Sequence, residues 1–400
     1  MSTFTYQLKN LRNESSDEEL LAVAREFATL PDPTPASVAQ LALSLAQSGE
    51  VLHMSDSLAA DVASTGGPGS LSTLLGPLYL VTQGAVVPKL GIPGRPAGGI
   101  DCLLQVPGYN GRLSRQEVMQ VLSACRYAHF LPTSALAPLD KRIFEIRQKA
   151  GLQGVAPLVI ASLLAKKIAV GLDRFAIDVR VFPGGNFGAT WENALQNASL
   201  FRRAADELGL TAITVLTDCR FVQQPFLGRS ESLWALSEVL KGQARGSLSV
   251  HAGRCKDMAF SCLPESATGS PTKTLLEAFT SNLQAQGASL KGFEQLITQT
   301  ERAHTIEIRA QNSGFFNANP ATLRTILVNA QASVKKHAED FPDPLGIKLI
   351  CDQGMWVQAG HVVATVRAGN GVWAATSSAL NEALGRMSSM PMAVGIEGVG

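Results

Sequence analysis

Capping signals and apolar residues at helical spacing predict two helices near the N-terminus. Ser16 and Glu19 form a capping-box pattern, and apolar residues at helical spacing follow as far as residue 28. A second helix is expected between Pro35 and Gly49, because proline favours the first helical position and glycine follows helix ends. The same capping pattern at Ser114 predicts a helix over 114–127.

Further along, the hydrophobic pattern changes to that of buried strands. FAIDVRVF (175–182) and TAITVLTD (211–218) flank a helix expected over 191–208. A strand–helix–strand order is typical of an α/β domain with a mainly parallel sheet. After about residue 301, short strands (HTIEIRA, GIKLICD and HVVATVRA) surround one helix near 321–336, and we assign no element beyond 368.

Composition limits the function classes. A chain of 400 residues with 46% hydrophobic content can bury a large core divided among two or three domains. The net charge of +1, without a basic run, favours neither a nucleic-acid nor a membrane partner. The N-terminus lacks a signal pattern, and the chain lacks an 18-residue uncharged apolar segment, so a cytoplasmic protein is expected. The six cysteines show no metal-binding spacing, so we expect free thiols and no metal site.

The stretch 133–167 contains the strongest candidate chemistry. Ser162 and Lys166 are four residues apart and share one helix face, and Arg147 lies fifteen residues before Ser162. If the chain folds back between them, a guanidinium, an ammonium and a hydroxyl converge. That set suits a planar ligand with two carbonyl oxygens flanking an N–H. On spacing alone, solvated lysines and a small packing serine are the commoner alternative.

A glycine-rich turn gives a second candidate. Residues 64–69 read STGGPG and precede a helix expected from about Ser72. Backbone N–H groups of such a turn, together with a helix N-terminus, can hold an anion. More such turns are structural than phosphate-binding.

These segments together resemble one family. LAPLDKR-x4-R followed by S-x3-KK is similar to the pyrimidine nucleoside phosphorylases, which include thymidine phosphorylase, and the similarity runs from about residue 15 to about 368. It implies that Arg147, Ser162 and Lys166 hold the pyrimidine ring, with Phe144 beside them. It also implies that Arg147 and Lys166 stabilise the departing base.

The resemblance implies a fold of three parts, of overall class α/β. A small all-α lobe would comprise 1–57 and 132–172 and carry the pyrimidine side. A larger α/β lobe with a mainly parallel sheet would comprise 58–131 and 173–300 and carry the glycine loop. A β-rich, barrel-sandwich-like module would occupy 301–400. A homodimer is the family expectation, and no cofactor is implied beyond phosphate as a possible co-substrate.

The chain departs from the family at the phosphate loop, which there reads K-H-S-T-G-G-x-G-D followed by a serine. Val62 and Ala63 replace the lysine and the histidine, and Ile100 replaces a threonine. Each lost charge-assisted hydrogen bond to an anion costs roughly 1.5–3 kcal/mol, so we expect impaired or altered phosphate usage. Restoring lysine at 62 and histidine at 63 is expected to raise phosphorolysis. The remaining anion-loop candidates are Ser64, Thr65, Gly66, Gly67, Ser72 (or Thr73) and Arg95.

Three functions follow. The first is a pentosyltransferase that binds a pyrimidine base or nucleoside in a cleft between the lobes. The second is a non-catalytic protein that binds the same small molecules. The third is a nucleoside hydrolase that uses water in place of phosphate. The pyrimidine-binding residues are kept, whereas the phosphate side is consistently apolar. This pattern favours an enzyme with a changed function over one that has lost its function.

Overall fold

A computed structural model describes residues 3–54, 58–67, 69–94, 96–133, 135–183, 185–337 and 340–390. Its helices are α1 (Thr3–Asn10), α2 (Asp17–Thr29), α3 (Pro35–Ala46), α4 (Ser72–Thr82), α5 (Gly99–Leu103), α6 (Arg115–Cys125), α7 (Pro138–Lys149), α8 (Ala156–Ala169), α9 (Trp191–Asp206), α10 (Arg229–Leu240), α11 (Gly246–Ser261), α12 (Leu275–Ala285), α13 (Leu290–Arg302), α14 (Pro320–Val334) and α15 (Asn370–Gly385). Its strands are β1 (Ala60–Ser64), β2 (Val87–Leu90), β3 (Tyr127–Phe130), β4 (Arg174–Val181), β5 (Thr211–Asp218), β6 (Phe226–Leu227), β7 (Thr305–Arg309), β8 (Gly314–Phe315), β9 (Leu345–Leu349), β10 (Trp356–Val357) and β11 (Val362–Ala368).

A parallel sheet forms the centre of the fold and confirms the predicted α/β class. Strands β1, β4 and β5 pair in the order β1-β4-β5, and β2 pairs with β3. An isolated parallel bridge between Ala59 and Val86 joins the two groups, which gives the order β3-β2-β1-β4-β5. Strand β5 has the predicted bounds, and β4 begins one residue earlier than predicted.

Local signals set the N-terminal helices. The Ser16 hydroxyl accepts from the Glu19 N–H at 3.2 Å, and the Glu19 carboxylate accepts from the Ser16 N–H at 2.7 Å, which confirms the predicted capping box. Helix α3 begins at Pro35 as expected but ends at Ala46, before Gly49. The helix α1 was not predicted. The buried residues of α2, α3, α7 and α8 form one core with β4 and α9, so the helices cover one face of the sheet.

The C-terminal part combines an antiparallel sheet with two helices. The sheet has the order β6-β9-β11-β7, so one strand comes from the middle of the chain. Helix α14 fits the predicted helix near 321–336, whereas α15 lies in the tail to which no element was assigned. Thr376, Leu380 and Leu384 of α15 are buried at a spacing of four, so a helical pattern is present there. The proposed domain boundaries stay a prediction.

Three observations concern membrane partners, thiols and metals. No helix in the described part of the chain has the length and apolar character needed to cross a bilayer. All six cysteines are free thiols, and five of them are buried. Within the same ranges, no three histidine, cysteine or acidic side chains are grouped so that they could hold a metal ion.

Candidate functional site

One cleft opens at the carboxyl ends of β1, β2 and β3. Its cavity volume is about 160 Å³. The carboxyl edge of a parallel sheet is the usual place for ligand sites in α/β folds. The cleft is lined by the sheet edge and its loops, by α8 and by α14; the polar and charged residues among the lining are Ser64, Thr65, Ser70, Thr73, Lys89, His129, Lys166, Lys167, Asn186 and Arg324.

The glycine loop reaches the cleft as the sequence predicts. Ser64, Thr65, Gly66 and Gly67 line it, and the two glycines have φ of 94° and 129°, a region that other residues rarely adopt. The Gly66 N–H donates to the Ser64 hydroxyl at 3.2 Å. The candidate Arg95 lies outside the described residues.

The buried carboxylate of Asp178 forms hydrogen bonds with the segment that contains this loop. Asp178 of β4 is 2% exposed, and one of its oxygens accepts from the Ser70 hydroxyl at 3.1 Å and from the Ser72 hydroxyl at 3.0 Å. The Ser64 hydroxyl lies 3.5 Å from the same oxygen. The other oxygen accepts from the Thr217 hydroxyl at 2.8 Å. The predicted anion ligand Ser72 is therefore directed at Asp178 and does not line the cleft, whereas its neighbour Thr73 does.

Of the residues predicted to bind the pyrimidine, the structure places only some in the cleft. The Lys166 ammonium donates to the Ser162 hydroxyl at 2.6 Å, as their spacing predicts, and pairs with Asp140 at 2.5 Å. Lys166 lines the cleft. Burial lowers the pKa of Lys166, although the attraction of Asp140 opposes this. Ser162 and the half-buried Phe144 are not among the lining residues.

Arg147 has a different set of partners from the one its spacing suggests. Its guanidinium donates to the backbone carbonyls of Leu152 at 3.4 Å, Gln153 at 2.9 Å and Leu158 at 3.3 Å. The residue is 3% exposed and does not line the cleft. Burial lowers its pKa to about 10, against the attraction of Asp140. In this structure the Arg147 guanidinium binds the backbone of the turn into α8.

A buried ion cluster at the cleft was missed by sequence reasoning. Asp61 of β1 is fully buried; its Oδ1 accepts from the Lys89 ammonium at 2.8 Å, and its Oδ2 accepts from the Lys167 ammonium. Lys89 also donates to the Val62 carbonyl. Burial alone would raise the pKa of Asp61, but the two lysines outweigh it and lower that pKa. Burial lowers the pKa of Lys89 to about 8, against the attraction of Asp61.

His129 lies beside this cluster. It is the register partner of Lys89 in the β2–β3 pair, and its Nδ1 lies 2.9 Å from the Tyr127 hydroxyl. Burial, followed by the positive charge of Lys89, holds the pKa of His129 well below its ordinary value, so the ring is neutral. The ring contacts the backbone of Gly91 and Gly99, where an added Cβ would lie within 2.8 Å of it. Single polar residues inside the apolar runs VVPKLG and YAHFL were the available sequence signal.

The side chain at position 62 faces away from the cleft. Val62 is fully buried and packs on Gly76 of α4, where an added Cβ would lie 2.6 Å from the valine Cβ. Its neighbour Ala63 lines the cleft. A lysine at 62 would therefore enter the apolar core unless the strand shifted, which is a physical reason against the expected gain from restoring it.

Comparison with known proteins confirms the resemblance drawn from the motifs. The chain is 25% identical over 368 residues to the pyrimidine-nucleoside phosphorylase of Bacillus subtilis strain 168, covering 87% of this chain and 83% of that protein. It is 26% identical over 370 residues to the enzyme of the same name from Staphylococcus aureus strain USA300, covering 86% and 82%. No family model matches the chain. Among solved structures, anthranilate phosphoribosyltransferase from Thermus thermophilus aligns with a TM-score of 0.49 at 15% identity, covering 75% of this chain and 98% of that one.

Proposed function

We propose that this protein is a pentosyltransferase of the pyrimidine-nucleoside phosphorylase type, with altered use of phosphate. Its relatives carry that name, and the chain aligns with them over most of their length. The observation that carries the proposal is a single cleft that has Lys166 on one side and the loop of Ser64 to Gly67 on the other. A base and an anion held at these two places would meet inside one cavity.

In this proposal, an anion oxygen attacks C1′ of the nucleoside while the bond from C1′ to the base nitrogen breaks. The base leaves with the electron pair of that bond and takes up the proton that the attacking anion gives up. Lys166 is the cleft-lining donor on the α8 side, and its hydrogen bond to a base oxygen would strengthen as negative charge develops there. Arg147 supports the turn before α8 and is assigned a positioning role. A homodimer in the cytoplasm belongs to the same proposal, and light scattering tests its assembly.

Calorimetry and turnover test this function. Purified protein is titrated with uracil, thymine, uridine and thymidine, with and without phosphate, and base release is followed by chromatography. Lys166→Gln is expected to lower kcat/KM roughly 10- to 100-fold, since a charge-assisted bond is worth roughly 1.5–3 kcal/mol. Lys149→Gln, on the exposed end of α7, is the matched control.

The outcomes separate the candidate functions. Base release that needs an added anion supports the transferase, and release without one indicates hydrolysis. Binding without release indicates a non-catalytic binding protein. Absence of binding by the wild-type protein, or wild-type turnover by a folded Lys166→Gln variant, would refute the assigned site.

A further inference from the structure

The floor of the cleft carries more positive than negative charge. Lys89 and Lys167 are 4% and 6% exposed, and the ion pairs found among the described residues give both of them the same carboxylate, Asp61. Two ammonium groups on one carboxylate leave one positive charge in excess. A buried charge without full compensation is costly, so an anion entering the cleft would be favoured there.

His129 adds a neutral donor at the same place. The pKa of Tyr127 lies well above its ordinary value because of burial, so the phenol keeps its proton and can donate it to His129 Nδ1. The neutral imidazole then carries its own proton on Nε2. That nitrogen lies on the side of Gly91, which lines the cleft with His129 itself.

Lys89 and His129 are the two side-chain types that the glycine loop of this chain lacks. The family loop places a lysine and a histidine at the positions of Val62 and Ala63, at the end of β1. Here the ammonium of Lys89, from the neighbouring strand β2, donates to the carbonyl of Val62. His129 stands opposite Lys89 on β3. A cation and an imidazole are therefore present at the same sheet edge, but they come from different strands.

The loop itself has fewer donors to offer. The Ser70 hydroxyl is bonded to Asp178, and the Ser64 hydroxyl lies within reach of the same carboxylate. A hydroxyl that gives its proton to a carboxylate cannot give it to a bound anion at the same time. Recognition of an anion then depends on Lys89 and His129 more than on the serines.

We propose that Lys89 and His129 form a rebuilt oxyanion site at the ends of β2 and β3, which takes a phosphate-class anion in place of the family's loop lysine and histidine. This inference rests on the proposed function, because the anion would be the acceptor or the product group of that reaction. The anion is either inorganic phosphate or the phosphate of a pentose 1-phosphate, and both present the same oxygens.

The test is calorimetric titration of the full-length protein with inorganic phosphate and, separately, with ribose 1-phosphate. Lys89→Met removes the charge at nearly constant length and leaves Asp61 paired with Lys167, so the variant should stay folded. Its affinity for the anion is expected to fall about 10- to 100-fold. His129→Leu is expected to weaken binding by a smaller factor, and His129→Gln, which keeps a donor, is expected to restore part of it. Lys241→Met, at an exposed position, is the matched control and should bind as the wild type does.

Uridine binding by the same variants separates this inference from the proposed function. Loss of anion binding in Lys89→Met with uridine binding retained supports the rebuilt site. Anion binding within about twofold of wild type in Lys89→Met, with the fold verified by circular dichroism, would overturn it, as would a wild-type protein that binds uridine but neither anion. If only ribose 1-phosphate binds and Lys89→Met abolishes this, the site is confirmed and its ligand is the ester. Failure of the wild type to bind either uridine or anion would overturn the proposed function as well.

Discussion

Replacing Asp61 by asparagine should destabilise the folded protein strongly, because Asp61 is the shared partner of two buried lysines. Its side chain is fully buried, and both lysines are more than nine-tenths buried. Removing one partner of a buried ion pair costs about 3–5 kcal/mol. An asparagine oxygen can still accept a hydrogen bond, so we expect a loss within this range at pH 7 and not above it. A typical domain has only about 5–15 kcal/mol of stability in total.

The loss of stability in Asp61→Asn should change with pH in a definite direction. The lowered pKa of Asp61 means that its stabilisation is present above its unfolded pKa and is lost as pH falls through the folded value. The pKa of Lys89 is lowered to about 8, so above that pH the unfolded chain binds more protons and stability rises. Without the attraction of Asp61, Lys89 loses its proton more easily. The deficit of Asp61→Asn should therefore shrink between pH 7 and pH 10.

Urea unfolding followed by circular dichroism measures both effects. Glu50→Gln is the control, because Glu50 and Arg115 form an exposed pair with N–O distance 3.3 Å, and such pairs contribute about 0–1 kcal/mol. If the free energy of unfolding of Asp61→Asn at pH 7 lies within about 1 kcal/mol of the wild-type value, the two lysines are not both charged and buried in the folded protein. A deficit that grows with pH would contradict the assigned ion pairs as well.

Three further substitutions test particular contacts by the same unfolding assay. Val62→Lys should cost at least about 3 kcal/mol, because it buries a long cation against Gly76, and it should not improve anion binding; a stable variant that binds phosphate more tightly would contradict this. Gly346→Ala should cost about 1–3 kcal/mol or more, because its Cβ would overlap the carboxyl group of Glu231; a neutral result would show that Glu231 can move aside. Ser16→Ala should cost about 1 kcal/mol through loss of the capping box, and a free energy of unfolding equal to that of wild type would refute a role for the cap.

The elements that sequence reasoning found are those set by local signals. The capping boxes at Ser16 and Ser114 place two helix starts correctly, and the apolar run at 211–218 is strand β5. Helix α15 was missed because it lies in a tail that no family motif covers, although Thr376, Leu380 and Leu384 are buried at a spacing of four. Capping and periodicity depend on residues only a few positions apart, so they can be recognised without knowledge of the tertiary fold.

The site was harder to predict, because its parts meet only through the sheet topology. Asp61 and Lys167 are 106 positions apart in the sequence, and nothing local links them. Lys89 reaches Asp61 because β2 lies next to β1, a neighbour relation that the residue pattern does not state. For Arg147, the structure shows partners that the sequence spacing did not indicate. Its spacing from Ser162 suggested convergence, but the carbonyls of the turn before α8 take up its guanidinium.

The contacts of Asp178 have a consequence for the thermodynamics of binding. The carboxylate holds Ser70 and Ser72 at either end of the turn that leads into α4, and the Thr65 hydroxyl accepts from the backbone N–H of Arg180 at 2.9 Å. A segment tied down in this way loses little conformational entropy when a ligand arrives. The affinity of the glycine loop for a ligand should therefore depend on how well the ligand matches the fixed positions of the loop's backbone N–H groups. A group of the wrong shape would gain nothing from the loop adapting around it.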